Sequence, residues 1–138
     1  MFIGAHTIGV THCAVVQRRL FNFTGRGDSD PDLSLEYVQA LKAQCGSPPT
    51  PSVELGLDRN SSLSFDSHYY MGLTRKEGLL TSDAALLKDG EAQNLVNRFK
   101  NQEAFKKAFA ISMVNMGNIG VLTGKRNGEI RKNCRVVN

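Results

Sequence analysis

The most unusual stretch of this chain, at residues 4–9, reads Gly4-Ala5-His6-Thr7-Ile8-Gly9. A histidine stands between small residues, and a hydroxyl residue and a glycine follow it. Small neighbours allow a flat, bulky ligand to come close to the backbone. Taken alone the pattern is weak, because a single histidine is more often a hydrogen-bonded structural residue than a ligand. The residues further along the chain must decide between these two interpretations.

The composition is that of an ordinary globular domain. The 138 residues are 41% hydrophobic and 22% charged, which suits a single domain over residues 1–138. No stretch approaches the roughly 20 apolar residues that a membrane-spanning helix needs, so we expect no membrane span. Between Met1 and Val10 there is no basic start, and His6 interrupts the apolar run, so we identify no signal peptide there.

The net charge of +4 comes from positive residues that are scattered along the chain. No recognition motif accompanies them, so we expect solvated basic faces and no binding to nucleic acid. The basic tail, in which Arg135 follows Arg131 and Lys132, could also lie on an acidic polysaccharide.

The hydrophobic pattern predicts an all-α fold of short helices and long irregular loops. Ser34 and Ser82 are expected N-caps, and Gly46 is an expected helix stop. No alternating pattern is long enough to predict a sheet. The predicted helices cover residues 13–20, 35–44, 67–78, 83–88, 92–100 and 102–116.

The strongest periodic signal lies in the last of these helices. Phe105, Phe109, Met113 and Met116 recur at steps of four, four and three, which places them on one helical stripe. Such a stripe can line a cofactor pocket, but it is more often part of a hydrophobic core. We expect these four residues to belong to the core.

The acidic run at residues 28–32 resembles the start of an EF-hand loop. That loop needs Gly at its sixth position and Glu at its twelfth, and these positions hold Leu33 and Gln39. We therefore expect a solvated acidic loop and no calcium site at this run.

The three cysteines are Cys13, Cys45 and Cys134, too far apart for a CxxC motif. In an intracellular chain an odd number of cysteines means buried thiols. In a secreted chain it means that one cysteine has its disulfide partner elsewhere. Pairing of Cys13 with Cys45 would close a loop of about 33 residues, worth roughly 3–4 kcal/mol. Two N-x-[ST] triplets, at Asn22 and Asn60, favour secretion slightly.

Several further motifs occur in a fixed order and are specific in combination. They are GAHTIG at 4–9, Cys13, Cys45, SFDSHYY at 64–70, GLLTSD at 78–83, MGNIG at 116–120 and RKNCRVVN at 131–138. This series resembles the C-terminal half of a plant secretory (class III) haem peroxidase, and the resemblance covers nearly the entire chain. It implies the proximal-haem half of the peroxidase fold.

The resemblance implies that His6 is the axial ligand of the iron of haem b. Peroxidases hold haem iron through a histidine, and a carboxylate that accepts the other ring N–H makes the imidazole electron-rich. The family places that carboxylate in a G-L-[LI]-x-S-D segment, where this chain has Asp83. An acidic residue near the start of a helix also offsets the helix dipole, and the two roles are compatible.

The resemblance also implies a calcium site beside His6. The matching positions are Thr7, which offers its carbonyl and its hydroxyl, then Asp58, Ser61, Ser64 through its carbonyl, and Asp66. Ser61 stands where threonine is usual in the family. A loop of oxygen ligands at this spacing suits a hard cation. Calcium would tie the loop to the residue next to the iron ligand, so its loss should alter the haem iron.

In the family, Cys13 and Cys45 pair with each other, and Cys134 pairs with a cysteine of the N-terminal half. The resemblance also implies secretion to the cell wall or the vacuole. Asn22 is the better candidate for glycosylation, because Asn60 lies inside the implied calcium loop.

Family peroxidases cleave hydrogen peroxide with a distal histidine and arginine from an R-x-x-F-H-D-C helix, and no such segment occurs here. The remaining histidines, His12 and His68, lack that context. We therefore expect a truncated product or partial sequence. Its parent would oxidise phenolic donors with hydrogen peroxide, removing the peroxide in response to oxidative stress.

For the chain alone we expect loose haem binding and little turnover. One alternative is a non-catalytic fragment that binds haem or calcium. Another is a basic helical module for nucleic acid or polysaccharide.

Overall fold

The computed structural model describes residues 2–124 and 127–138, and these are mostly helical, as predicted. The segment that carries His6 is a 3₁₀ helix, Phe2–Thr7. The predicted single domain over residues 1–138 includes Met1, Lys125 and Arg126, which lie outside the described residues. The α-helices are α1 (Cys13–Phe21), α2 (Leu35–Cys45), α3 (His68–Thr74), α4 (Thr81–Ala85), α5 (Gly90–Phe99) and α6 (Gln102–Gly117).

Helix α2 begins and ends where the sequence predicts. The Ser34 side chain accepts a hydrogen bond from the backbone N–H of Tyr37, which satisfies one of the free donors of the first turn. Gly46 follows the helix with a positive φ of 84°, a conformation that favours glycine. Helix α6 is capped in the same way as α2, by Asn101, whose side chain accepts from the N–H of Ala104.

The predicted cap at Ser82 is wrong. Helix α4 already includes Thr81, so Ser82 lies in its first turn, exposed. The N-cap position is Leu80, and its backbone N–H donates to Asp83 Oδ2 at 2.8 Å. A carboxylate three residues into the helix thus takes the place of the hydroxyl cap that the sequence suggested.

The prediction of no sheet is wrong in one detail. Strands β1 (Val10–His12) and β2 (Glu54–Gly56) pair antiparallel, with Val10 opposite Gly56 and His12 opposite Glu54. Each strand has only three residues, too few for an alternating pattern to stand out in the sequence. The pair holds the segment that follows His6 against the loop that contains Asp58.

Two hydrophobic clusters form the core of the described residues. The first surrounds Cys13 and Cys45 between α1 and α2 and includes Val16, Leu20, Tyr37, Leu41, Leu55 and Leu79. The second joins α3, α5 and α6 through Tyr69, Tyr70, Leu73, Val96, Phe99 and Phe105. The 3₁₀ helix packs on this second cluster, which places His6 beside α3.

The predicted core stripe on α6 is only half buried. Phe105 is fully buried and Phe109 packs partly against it, but Met113 and Met116 are exposed. The pattern correctly predicted that these residues share one face of the helix. It could not tell that no other part of the described chain covers the C-terminal half of that face.

Packing within the protein explains why position 4 holds a glycine. A Cβ on Gly4 would collide with the Tyr70 hydroxyl and would lie 2.8 Å from a ring carbon of Phe105. The absence of a side chain at Gly4 therefore lets the 3₁₀ helix approach α3 and α6. The expectation that small residues in this segment make room for a ligand is therefore wrong for Gly4, which makes room for Tyr70 and Phe105. Ala5, in contrast, is exposed.

The acidic loop and the basic pair at Arg18-Arg19 are not wholly solvated. Asp30 and Arg19 are both buried, and Arg19 Nε donates to Asp30 Oδ2 at 2.7 Å. Arg19 Nη1 also donates to the carbonyls of Gly78 and Leu79. This contact anchors the segment that leads into α4 and thereby into Asp83.

Glu77 forms a second charged contact, in the turn after α3. Its carboxylate accepts from Arg59 Nη1 at 2.7 Å and from Arg75 Nε at 2.8 Å. Burial by itself raises the pKa of Glu77, but the two arginines outweigh burial and lower that pKa. Because the pKa is lower in the folded chain, the carboxylate stabilises the fold above its unfolded pKa, and this contribution is lost as the pH falls through the folded value.

We expect Glu77→Gln to lower the free energy of unfolding at pH 7 by about 1–2 kcal/mol. The deficit should shrink as the pH falls below the ordinary carboxyl range, where the wild-type Glu77 also becomes neutral. Urea unfolding at pH 7 and at pH 2.5 measures this. Glu36→Gln is the matched control, because Glu36 also pairs with Arg59 but its side chain is 80% exposed. An equal deficit at both pH values would contradict the assignment.

Candidate functional site

His6 and Asp83, which are 77 residues apart in the sequence, lie in direct contact. His6 Nδ1 is 2.8 Å from Asp83 Oδ1. The 3₁₀ helix brings the ring to the first turn of α4. The Asp83 side chain is fully buried, whereas the His6 side chain is 29% exposed. The ring therefore uses one nitrogen for the buried carboxylate and remains accessible from outside.

Asp83 is held by three donors. Oδ1 accepts from His6 and also from the Tyr69 hydroxyl, at 2.9 Å. Oδ2 accepts from the backbone N–H of Leu80. Tyr69 is a residue that the sequence analysis missed. Tyr69 belongs to the SFDSHYY motif, but nothing in the pattern of that motif indicates which of its side chains reaches Asp83.

The electrostatics of this group follow from the geometry. The hydrogen bond to Asp83 raises the pKa of His6, although burial opposes the shift. Burial raises the pKa of the Tyr69 phenol well above its usual range, and the charge of Asp83 raises it further. Tyr69 therefore stays protonated and acts as a donor. An Asp83 carboxylate that accepts the Nδ1–H makes the other ring nitrogen the electron-rich one.

Beside His6, the residues proposed from the family pattern as calcium ligands are brought together. Thr7 is fully buried, and its hydroxyl donates to the carbonyl of Asp66 at 2.8 Å. The same Thr7 oxygen lies 3.3 Å from Asp66 Oδ1 and 3.5 Å from the carbonyl of Ser64. Consecutive residues, His6 and Thr7, thus face two different groups.

Asp58 and Ser61 complete this oxygen cluster. The Ser61 hydroxyl lies 3.0 Å from Asp58 Oδ2 and 3.1 Å from Asp66 Oδ1. Burial acts to raise the pKa of Asp66, but donors including the His68 backbone and Ser64 outweigh it and lower the pKa. Asp66 is therefore ionised at neutral pH, as a cation ligand must be.

The cluster has the oxygen chemistry that calcium prefers. It combines two carboxylates with hydroxyl and carbonyl oxygens, the kinds of donor found in flexible calcium sites. In residues 2–124 and 127–138, no group of three or more His, Cys, Asp or Glu side chains is placed to hold a metal.

The cysteines agree with the pairing that the resemblance implies. Cys13 and Cys45 form a disulfide with Cα atoms 5.8 Å apart, buried between α1 and α2. Within the described part of the chain, Cys134 has a free thiol and is exposed. Asn22 and Asn60 are both exposed as well, so exposure does not separate the two candidate glycosylation sites.

Comparison with known proteins identifies the family. The family model described as Peroxidase matches residues 1–102. Relatives include Peroxidase 24 of Arabidopsis thaliana, 50% identical over 139 residues, and Peroxidase 1 of the same plant, 47% identical over 140 residues. The match takes in 98% of this chain in both cases. The chain belongs to the peroxidase family, as its motifs predicted.

The chain spans only part of these relatives. The matched region is 40% of the length of Peroxidase 24 and 42% of that of Peroxidase 1. The fold of short helices described above agrees with the haem-binding half of a peroxidase. No helix in the described residues is long and apolar enough to cross a membrane.

Proposed function

We propose that this chain supplies the proximal, iron-binding part of a haem peroxidase, with His6 as the axial ligand of haem b. The observation that supports this most is the 2.8 Å contact between His6 Nδ1 and the buried Asp83. With Nδ1 engaged, Nε2 is the nitrogen that remains for a metal. The partly exposed ring fits this role, because a ligand must reach it from outside the described core.

When bound, haem supplies the redox chemistry by which hydrogen peroxide is reduced and donors are oxidised. The residues of this chain hold the ligand. Asp83 accepts the Nδ1–H of His6, fixes the tautomer and ring orientation, and increases the electron density at Nε2. Tyr69 donates to the same oxygen and draws off part of the carboxylate charge, so it moderates the effect of Asp83 on the imidazole.

The second part of the proposal is a calcium site at Thr7, Asp58, Ser61, Ser64 and Asp66. The oxygen cluster and the lowered pKa of Asp66 support it. Because Thr7 directly follows His6, calcium there would fix the position of the iron ligand. We infer that removing calcium changes the haem spectrum, because Thr7 is bonded directly to the proposed iron ligand His6.

The substrates are proposed from the family. Hydrogen peroxide would be the oxidant and phenols the donors, and the reaction would remove peroxide under oxidative stress. Cleavage of the peroxide needs a general acid–base and a positive charge on the far side of the haem, and no R-x-x-F-H-D-C segment occurs in residues 1–138. We infer that these residues form one proximal portion of a peroxidase domain, with little turnover of their own.

The cellular setting is also inferred. A disulfide between Cys13 and Cys45 suits an oxidising compartment. We infer secretion to the cell wall or the vacuole, with Cys134 paired to a cysteine outside residues 1–138. Glycosylation at Asn22 and contact of the basic tail with cell-wall polysaccharide belong to the same proposal.

A hemin titration of the purified chain tests the proposed ligand. We expect a Soret band that shifts on binding and is lost in His6→Ala. His12→Ala is the matched control, because His12 is exposed on β1, and it should bind as the wild type does. A band that survives His6→Ala would contradict the assignment.

An activity assay on the same samples distinguishes an active enzyme from a non-catalytic fragment. Oxidation of guaiacol by hydrogen peroxide at a rate above that of free hemin would favour an active enzyme. Hemin binding without such a rate would favour the non-catalytic fragment, which the absence of the distal motif from this sequence supports.

A further inference from the structure

The two oxygens of the Asp58 carboxylate face different partners. Oδ2 accepts from the Ser61 hydroxyl, which also contacts Asp66, so this oxygen belongs to the cluster described above. Oδ1 points away from the cluster. It accepts from the backbone N–H of Asn60 at 3.2 Å and lies 2.7 Å from His68 Nδ1. The carboxylate is therefore held in one orientation from both sides.

The partners of His68 define its tautomer. His68 Nε2 lies 3.4 Å from Arg75 Nη2, and an arginine nitrogen can only donate. Nε2 is then the acceptor, and Nδ1 carries the hydrogen that is donated to Asp58 Oδ1. Arg75 is in turn held by Glu77. His68 is thus a fixed donor, with a side chain that is 23% exposed, against a carboxylate that is 2% exposed.

We propose that His68 is a positioning residue for the calcium site: its Nδ1–H holds Oδ1 of Asp58, so that Oδ2 alone is presented to the cation. The inference rests on the proposed calcium site and adds to it a residue that does not itself touch the metal. Without this donor, Oδ1 keeps only the hydrogen bond from the Asn60 N–H, and the carboxylate is held less firmly in this orientation.

His68 also connects the two groups of the functional site. It is the first residue of α3, and the next residue, Tyr69, donates to Asp83. Consecutive side chains of one helix thus hold the carboxylate that faces the calcium cluster and the carboxylate that faces His6. A change in the position of α3 would therefore affect both carboxylates.

The test uses two amide variants that differ in where the N–H lies. In His68→Asn the amide nitrogen takes the place of Nδ1 and can still donate to Asp58. In His68→Gln the amide oxygen takes the place of Nε2 and accepts from Arg75, and the donor to Asp58 is lost. We expect His68→Gln to bind calcium about 10–100-fold more weakly than the wild type. His68→Asn should stay close to the wild-type affinity.

Calcium affinity is measured on the purified chain by competition with a chromophoric chelator, and unfolding in EDTA shows that each variant folds. Equal affinities for the two variants, whether both normal or both weak, would overturn the role of His68. The variant Asp58→Asn distinguishes a failure of the positioning role of His68 from a failure of the calcium site itself. If it abolishes binding while both His68 variants bind normally, the calcium site stands and the positioning role is wrong. If the wild type binds no calcium, the proposed site itself fails.

Discussion

Replacing Asp83 with alanine is expected to lower the free energy of unfolding by about 3–5 kcal/mol. The change removes the acceptor of His6 Nδ1, of the Tyr69 hydroxyl and of the Leu80 N–H, and two of these donors lie on separate elements, the 3₁₀ helix and α3. Because the Tyr69 hydroxyl is buried, losing its partner costs its full desolvation. Urea unfolding of the wild type and the variant measures the difference.

Ser82→Ala is the matched control for this experiment. Ser82 precedes Asp83 in the first turn of α4 but is exposed, and Asp83 performs the capping role that the sequence assigned to Ser82. We expect a change within about 0.5 kcal/mol. A large loss in Ser82→Ala together with a small one in Asp83→Ala would show that the hydroxyl, and not the carboxylate, holds this turn.

Removal of the Cys13–Cys45 disulfide is expected to have a similarly large effect. The bond joins residues 32 positions apart and lies inside the first core cluster. The double variant Cys13→Ala/Cys45→Ala frees the unfolded chain from this loop, which costs roughly 3–4 kcal/mol. Unfolding of the wild type in a reducing agent should show a comparable loss.

Cys134→Ala serves as the control for the disulfide, because its thiol is exposed in the described structure. We expect its free energy of unfolding to match that of the wild type. A loss below about 1 kcal/mol in the double variant would mean that packing between α1 and α2 holds this region without the bond.

Local signals in the sequence predicted most of the helices. Ser34 and Gly46 define the ends of α2 because caps act over a few residues, and α1 ends within one residue of its predicted boundary. The three-residue strands were missed because so short a segment has no period. The exposure of Met113 and Met116 was missed because a helical stripe shows only which residues share a face.

The site was predicted by resemblance and not by physical pattern. His6 and Asp83 were paired from family motifs, and the contact between them spans 77 positions, which no local signal reveals. The contacts of Tyr69 with Asp83 and of His68 with Asp58 were missed for the same reason. Arg19 and Asp30 illustrate a further limit: both look like surface charges in the sequence, and only the fold shows that they are buried against each other.

In the proposed function, the buried carboxylate of Asp83 makes the His6 imidazole a strong donor to haem iron. The most direct measurement is the reduction potential of the hemin-loaded chain, compared with that of Asp83→Asn, which keeps the shape of the side chain but not its charge. We predict a higher potential in the variant, rising by about 60 mV for each tenfold loss in preference for ferric over ferrous iron. An unchanged or lower potential in a folded, hemin-binding Asp83→Asn would contradict the claim.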